Sequence, residues 1–357
     1  MTQSTRRLWS AAVARLEPYV PGEQPNVENL IKLNTNESAF PPSPAVFHAL
    51  SQTEVERLRL YPDPASRRLV ERLASYHGLA ADQIFVGNGS DEVLAHAFYA
   101  FFQQSLPLLC PDISYSFYPV YCNLYNIAFT QVPLRAGFHL AVEDYTQPNG
   151  GIVFANPNAP TGRALPLSDI RQLLESNRDS VVLVDEAYVD FGAQSAIALI
   201  EEFDNLLVVH TTSKSRALAG LRLGFAFGSA GLIEALERVK NSFNSYPVDR
   251  LSELAGIASL NDEPYFKQVC AQVVATRDYT TRALTELGFD VVPSKANFVF
   301  AKPTGISAQA TFEALRAKRI LVRYFNKPRI SEYLRISIGS QSEMEALVQA
   351  LKDIVPR

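Results

Sequence analysis

Short apolar runs recur through the first two thirds of the chain, and most are followed by a polar turn and then by residues with helical spacing. Six such runs predict buried strands at 84–86, 106–110, 151–155, 181–184, 206–209 and 225–227. Apolar positions three and four residues apart predict helices at 66–77, 91–102, 114–124 and 166–177. Apolar strands that alternate with helices favour an α/β fold with a mostly parallel sheet buried on both faces.

The pattern changes beyond Gly224. Helices are predicted at 230–243, 250–260, 264–287, 308–318 and from Ser342 onward, and short strands at 291–292, 297–301, 321–323 and 333–338. This part of the chain therefore predicts a smaller α+β domain. At the other end, prolines at 18, 21 and 25 follow a short predicted helix at 8–16 and indicate an N-terminal arm. We therefore expect an arm at 1–44 that joins the small domain, a large domain at 45–245 and a small domain at 246–357.

Composition narrows the class of protein. Of 357 residues, 47% are hydrophobic and 20% are charged, and the net charge of −4 without a basic run argues against a nucleic-acid partner. Three widely spaced cysteines and five scattered histidines argue against a disulfide framework and against a bound metal. No secretion signal and no apolar run of roughly 18 residues is visible, so we expect a cytoplasmic protein that does not enter a membrane.

The candidate chemistry centres on Lys214, which lies in a polar turn after the predicted strand at 206–209. Open α/β sheets bind ligands at the carboxyl ends of their strands. Apolar surroundings disfavour the ammonium form of an amine and so free it as a nucleophile. Ser213 and Arg222 flank the lysine with groups that bind anions. A single lysine in a turn is most often a solvated surface residue, but a lysine beside a phosphate clamp suggests a Schiff base to pyridoxal phosphate.

Two further strand ends supply other groups that this coenzyme needs. Ser90 and Asp91 follow a glycine-containing turn and begin a predicted helix, whose free N–H groups favour a phosphate. Asp185 follows the strand at 181–184 and could face the ring nitrogen, which must stay protonated. Asn158 and Tyr188 could donate hydrogen bonds to the ring oxygen.

Three tyrosines, Tyr115, Tyr118 and Tyr121, have three-residue spacing in the predicted helix at 114–124. Aromatic residues at this spacing usually belong to a core. We therefore expect only Tyr115, which is nearest the strand end, to reach the site and stack on the coenzyme ring.

The motifs occur in a fixed order along the chain. Asn-Pro-Asn-Ala-Pro-Thr-Gly stands at 156–162, Asp-Glu-Ala-Tyr at 185–188 and Ser-Lys at 213–214, with an arginine eight residues after the lysine. In this order they resemble the class I and II aminotransferases of pyridoxal-phosphate fold type I. Further motifs resemble the histidinol-phosphate aminotransferases within that family, and they stand at 18–25, 33–37, 61–63, 184–191 and 333–339. The resemblance implies a seven-stranded type of sheet flanked by helices in the large domain.

The resemblance also implies roles for individual residues. Lys214 would form the Schiff base and move a proton, Asp185 would pair with the ring nitrogen, and Tyr188 would assist at the coenzyme. Tyr61 would reach the phosphate of the coenzyme bound to the partner subunit, so the protein would be a homodimer.

Substrate contacts are implied in the same way. Arg335 would hold a carboxylate or phosphate, Arg323 would lie near the same pocket, and Tyr19 and Asn34 would line it from the arm. Many relatives have a second asparagine where this chain has Ala159, and we assign the coenzyme contact to Asn158.

The activity implied is an amino transfer in histidine biosynthesis, between histidinol phosphate plus 2-oxoglutarate and imidazole-acetol phosphate plus glutamate. An aminotransferase for aromatic amino acids, or a threonine-phosphate decarboxylase, would keep the coenzyme motifs and change only the outer pocket. A regulator that senses the coenzyme would need a DNA-binding segment, and no basic helix-turn-helix pattern is visible.

Overall fold

The computed structural model describes residues 8–25, 29–51 and 55–355. The strands of these residues, in chain order, are β1 (Ile31–Lys32), β2 (Ile84–Asn88), β3 (Leu108–Pro111), β4 (Phe129–Val132), β5 (Ile152–Ala155), β6 (Val182–Asp185), β7 (Leu206–Thr211), β8 (Leu223–Gly228), β9 (Asp290–Val292), β10 (Phe298–Lys302), β11 (Ile320–Leu321), β12 (Arg323–Tyr324) and β13 (Leu334–Ser337). The helices are α1 (Ala11–Ala14), α2 (Pro44–Ser51), α3 (Arg67–His77), α4 (Gly89–Phe101), α5 (Tyr118–Tyr125), α6 (Leu167–Glu175), α7 (Ala230–Phe243), α8 (Arg250–Asn261), α9 (Glu263–Glu286), α10 (Ala308–Ala317) and α11 (Gln341–Ile354).

Seven strands form one sheet in the order β2–β8–β7–β6–β5–β3–β4. Neighbouring strands are parallel except at β8, which runs antiparallel to both β2 and β7. Asp185 at the end of β6 is level with Ala155 of β5 and Val209 of β7. The prediction of an α/β fold with a mostly parallel seven-stranded sheet is confirmed. The carboxyl ends of the parallel strands meet at one edge, where ligands bind in such sheets.

Both faces of this sheet are buried under helices. In β6, Val182 and Val184 pack into one apolar cluster with residues of α3 and α6. Leu183 points to the opposite face and packs with residues of α4, α5 and α7. Successive side chains of a strand alternate between faces, so a strand covered on both sides reads as a continuous apolar run.

Four elements differ from what the sequence pattern predicts. The strand predicted at 321–323 is divided into β11, which pairs with β1, and β12, which pairs with β13. β4 was not predicted, because it lies at the sheet edge and has the exposed polar residues Thr130 and Gln131 at its centre. α5 begins at Tyr118 rather than at residue 114, because Pro119 is tolerated only in the first turn of a helix. The N-terminal helix is limited to Ala11–Ala14.

A second sheet of four antiparallel strands, in the order β12–β13–β10–β9, lies in the C-terminal part of the chain. β1 of the arm pairs in parallel with β11, and the backbone of Leu33 is hydrogen-bonded to Leu321 and Ser337. α8 packs through Ala255 against Val46 of α2. The division at residue 245 stays a prediction.

Candidate active site

Lys214 lies in the loop between β7 and β8, where the arm meets the central sheet. Its Nζ donates a hydrogen bond to the backbone oxygen of Thr35 at 3.2 Å. The same nitrogen lies 5.9 Å from the centroid of the Tyr188 ring. The amine is partly buried and is held between two distant parts of the chain.

Asp185 is the last residue of β6 and its side chain lies inside the protein, with 5% of the residue exposed. Its Oδ2 accepts a hydrogen bond from the Tyr118 hydroxyl at 2.9 Å, and its Oδ1 accepts one from the Ala187 N–H at 3.2 Å. Burial raises the pKa of Asp185 to about 6, and the two hydrogen bonds act in the opposite direction. Each carboxylate oxygen has a second lone pair, so the group can still accept a hydrogen bond from the protonated nitrogen of a bound ring.

Tyr188 links the segment after β6 to the N-terminal part of the chain. Its hydroxyl accepts a hydrogen bond from Asn36 Nδ2 at 3.0 Å. Asn36 is buried, and its Oδ1 accepts a hydrogen bond from Ser337 while its backbone oxygen accepts one from Asn297. The sequence analysis did not single out Asn36, although its positive φ of 55° is a conformation that asparagine tolerates better than most residues.

The start of α4 and the loop before β8 form an anion-binding corner. Arg222 Nη2 pairs with Asp91 Oδ2 at 2.9 Å. A Cβ at Gly224 would lie 2.3 Å from the backbone nitrogen of Ser90 and 2.4 Å from the carbonyl carbon of Gly89. Only glycine therefore allows β8 to approach the first turn of α4 this closely. The first-turn N–H groups and a guanidinium are thereby brought together, as a phosphate requires.

Ser213 and Asn158 have side chains that are hydrogen-bonded within the protein. The Ser213 hydroxyl accepts a hydrogen bond from Thr211 at 2.9 Å. The Asn158 amide has three contacts, to Ile113 O at 3.0 Å, Thr161 Oγ1 at 3.0 Å and Ser114 Oγ at 2.8 Å. Their roles toward the coenzyme stay predictions.

Tyr115 lies beside the anion-binding corner, with its hydroxyl 3.1 Å from Asp91 Oδ1. The ring of Tyr19 from the arm lies 6.4 Å from the Tyr115 ring. Tyr118 was expected to belong to the core alone, and its ring does lie in the core, but its hydroxyl reaches Asp185. The hydroxyl of a buried tyrosine usually has a polar partner, and here that partner is Asp185.

Arg323 and Arg335 lie directly opposite each other on the paired strands β12 and β13. Arg335 Nη2 donates to Asn34 O at 2.8 Å, and its guanidinium carbon lies 5.5 Å from the Phe298 ring centroid and 5.6 Å from that of Phe325. Burial lowers the pKa of Arg335, and the nearby charge of Arg323 lowers it further.

Like charges on opposed strand positions destabilise a sheet unless an anion lies between or beside them. Among residues 8–25, 29–51 and 55–355, no carboxylate forms an ion pair with Arg323 or Arg335. The Nε of Arg335 is buried without a hydrogen-bond partner. Both observations leave this arginine pair without an anionic partner in the described part of the chain, and its role toward a substrate stays a prediction.

Tyr61 is not brought near Lys214 within one chain. It is 79% exposed, and its ring stacks on Tyr246 with the centroids 4.7 Å apart. Exposed apolar side chains surround it in sequence, including Val55, Leu58 and Leu60. Its assigned role requires a second subunit and stays a prediction.

These groups fit pyridoxal phosphate on structural grounds. A buried carboxylate with free acceptor capacity, a partly buried amine and a glycine-shaped corner with an arginine match its ring nitrogen, its aldehyde and its phosphate. In the described part of the chain, no group of three or more His, Cys, Asp or Glu residues could hold a metal ion. No described helix is long and apolar enough to cross a membrane.

The mixed seven-stranded sheet brings a lysine and a buried carboxylate to its strand ends, as enzymes that use pyridoxal phosphate require. Residues 28–351 match the model of the family "aminotransferase class I and II", and the chain belongs to this family. The family prediction from the sequence is confirmed.

Within the family, the chain is similar to histidinol-phosphate aminotransferases. It is 58% identical to "Histidinol-phosphate aminotransferase 1" of Hydrogenovibrio crunogenus, over 97% of this chain and 98% of that protein. It is 56% identical to the protein of the same name from Methylococcus capsulatus, over 97% of both chains. The crystal structure of the Sinorhizobium meliloti histidinol-phosphate aminotransferase in complex with pyridoxal-5'-phosphate has the same fold, with a TM-score of 0.83, 24% identity, and coverage of 91% of this chain and 90% of that chain.

Proposed function

We propose that this chain is a pyridoxal-phosphate-dependent aminotransferase that interconverts histidinol phosphate plus 2-oxoglutarate and imidazole-acetol phosphate plus glutamate. The opposed pair Arg323 and Arg335, with no carboxylate partner in the described ranges, is the observation that carries the substrate class. Two guanidinium groups match either a phosphate or a carboxylate. Of the two amine substrates, glutamate presents carboxylates and histidinol phosphate presents a phosphate. The likeness to the two bacterial enzymes supports the same substrates.

When bound, pyridoxal phosphate supplies a carbonyl that condenses with amines and a ring that withdraws electrons from the substrate carbon. Asp185 holds the proton at the ring nitrogen, since both of its oxygens are fixed by donors from the protein. Lys214 Nζ takes the proton from the substrate Cα and returns it, and its hydrogen bond to Thr35 shows that the arm lies beside it.

The remaining coenzyme contacts follow from position. The backbone N–H groups of Ser90 and Asp91, the Ser213 hydroxyl and the Arg222 guanidinium bind the phosphate at the start of α4. Tyr115 covers one face of the ring, and Asn158 and Tyr188 act near the ring oxygen. Tyr19 and Asn34 close the substrate pocket from the arm, where Asn34 contacts Arg335.

The active form is proposed to be a homodimer. The exposed aromatic and aliphatic side chains near Tyr61 are unfavourable in water, and a second subunit would bury them. A second subunit that covers them would carry its phosphate site to Tyr61. The three cysteines are buried and free, as in proteins of the reducing cytoplasm, where we place this enzyme.

An amino-acceptor panel tests the proposal. The purified protein, with glutamate as donor, is assayed with imidazole-acetol phosphate and with phenylpyruvate at matched concentrations. We expect a higher kcat/KM for the phosphorylated acceptor. A preference for phenylpyruvate would instead indicate an aromatic aminotransferase, and release of carbon dioxide from threonine phosphate would indicate a decarboxylase.

A further inference from the structure

We propose that Tyr118 is a positioning residue that holds Asp185 in the orientation and ionised state needed at the coenzyme ring nitrogen. This inference rests on the proposed function, because Asp185 has that task only when pyridoxal phosphate is bound. The contact that carries it is the hydrogen bond from the Tyr118 hydroxyl to Asp185 Oδ2 at 2.9 Å. With Ala187 N–H on Oδ1, each carboxylate oxygen has one donor and the plane of the group is fixed.

The surroundings of Tyr118 make its hydroxyl a fixed donor. The residue opens α5 and is 1% exposed. Its ring stacks on Phe98 at 6.1 Å and meets the Tyr115 ring edge-on at 5.5 Å. Phenylalanine would fill the same space in this apolar cluster without the cost of burying a hydroxyl. The hydroxyl is therefore explained by the carboxylate that it contacts.

The electrostatic surroundings favour the same role. Burial raises the pKa of Tyr118 well above its usual value, so the group remains a neutral donor at every working pH. Asp91 of α4 raises the pKa of Asp185, and His210 of β7 lowers it. Tyr115 and Tyr121 are also close enough for the charge of Asp185 to raise their own pKa values. The Tyr118 hydrogen bond is the largest contribution that opposes the effect of burial on Asp185. Removing it should therefore make the carboxylate harder to ionise.

Coenzyme affinity tests this directly. Coenzyme-free full-length protein is titrated with pyridoxal phosphate and with an analogue in which carbon replaces the ring nitrogen. Tyr118→Phe should bind pyridoxal phosphate about 10- to 100-fold more weakly, the range expected for a lost hydrogen bond to a charged group. Its affinity for the analogue should stay close to that of the wild type. As the pH is lowered, the affinity of Tyr118→Phe for pyridoxal phosphate should begin to decline at a higher pH than that of the wild type.

Tyr121→Phe is the matched control, because Tyr121 is a buried tyrosine of the same helix whose hydroxyl bonds to the backbone oxygen of Asp91 instead. It should not shift the pH dependence. In an Asp185→Asn background, Tyr118→Phe should cause no further loss for pyridoxal phosphate, since the two changes act on one interaction.

The possible results are distinguishable. If the wild type does not bind pyridoxal phosphate, the proposed function fails. If it binds, but Tyr118→Phe weakens both coenzymes equally or weakens neither, the positioning role is overturned. Should Tyr118→Phe not fold, Tyr118→Leu, which also removes the donor, is measured in its place. It should weaken pyridoxal phosphate binding more than analogue binding, and equal losses would again refute the role.

Discussion

Replacement of Arg335 by leucine should impair catalysis without lowering stability. In the structure, the Arg335 guanidinium is buried between the rings of Phe298 and Phe325, opposite Arg323, and its Nε has no partner. Leucine keeps apolar volume between the two rings and removes the charge. The loss of catalysis and the retained stability have different physical causes, so each is measured separately.

The catalytic loss can be estimated from the anion contact. A hydrogen bond to a charged group contributes roughly 1.5–3 kcal/mol, so kcat/KM should decline about 10- to 150-fold. In the free protein, the same substitution removes a desolvated charge and its repulsion from Arg323, and it loses one hydrogen bond to Asn34 O at 2.8 Å. That hydrogen bond has a charged donor and contributes roughly 1.5–3 kcal/mol, and relief of the desolvated charge, which costs on the order of several kcal/mol, offsets it. The free energy of unfolding should therefore not fall.

The assay measures kcat/KM for glutamate, histidinol phosphate and phenylalanine in separate half-reactions, and unfolding by urea without substrate. Arg171→Ala serves as the control, since Arg171 is paired with Glu202 on the outer surface and should leave kcat/KM unchanged. Arg335→Leu should impair all three amines if Arg335 holds the α-carboxylate of glutamate and phenylalanine and the phosphate of histidinol phosphate.

Arg323→Ala should impair glutamate and histidinol phosphate more than phenylalanine, because glutamate carries a distal carboxylate and histidinol phosphate a doubly charged phosphate, whereas phenylalanine has only its α-carboxylate. Two outcomes would refute this reasoning. Unchanged kcat/KM in Arg335→Leu would remove Arg335 from the substrate site. A large loss of stability in that variant would show that the guanidinium is structural rather than reserved for a ligand.

The other predictions concern the coenzyme site. Wild-type protein should be yellow, and Lys214→Ala should lose the absorbance of bound coenzyme on reduction and dialysis; colourless wild-type protein after incubation with pyridoxal phosphate would contradict the assignment. Burial raises the pKa of Asp185 from 3.8 to about 6 in the folded protein. The unfolding free energy of the coenzyme-free wild type, compared with that of Asp185→Asn, should therefore fall by about 3 kcal/mol as the pH rises from about 4 to about 6. Stability falls with rising pH because the folded state binds the proton of Asp185 more tightly than the unfolded state does. A difference in unfolding free energy between the two proteins that does not change with pH would refute this prediction. Subunits carrying Tyr61→Phe, mixed with Lys214→Ala subunits, should regain some activity through hybrid dimers, whereas a fully active monomer would exclude a shared site.

The amino-acid sequence by itself determined the parts of the fold in which local pattern and burial agree. β6 is apolar along its length because helices cover both faces of the sheet, so the strand and the position of Asp185 at its end could be predicted. β4 could not be predicted in the same way, because an edge strand tolerates Thr130 and Gln131 in contact with solvent. The motif order also indicated the family, since each motif occupies the end of a predicted strand.

Tertiary structure alone decided which side chains meet. The register of β12 against β13 places Arg323 opposite Arg335, and no pattern in either short strand specifies that pairing. The contact of Lys214 with Thr35 spans 179 residues of sequence. Tyr118 shows why such contacts could not be predicted from local pattern. The spacing of apolar residues correctly assigned its ring to the core, because that assignment depends only on neighbouring residues. The partner of its hydroxyl lies 67 residues away, at the end of β6, and only the packing of α5 against the sheet brings the two groups together.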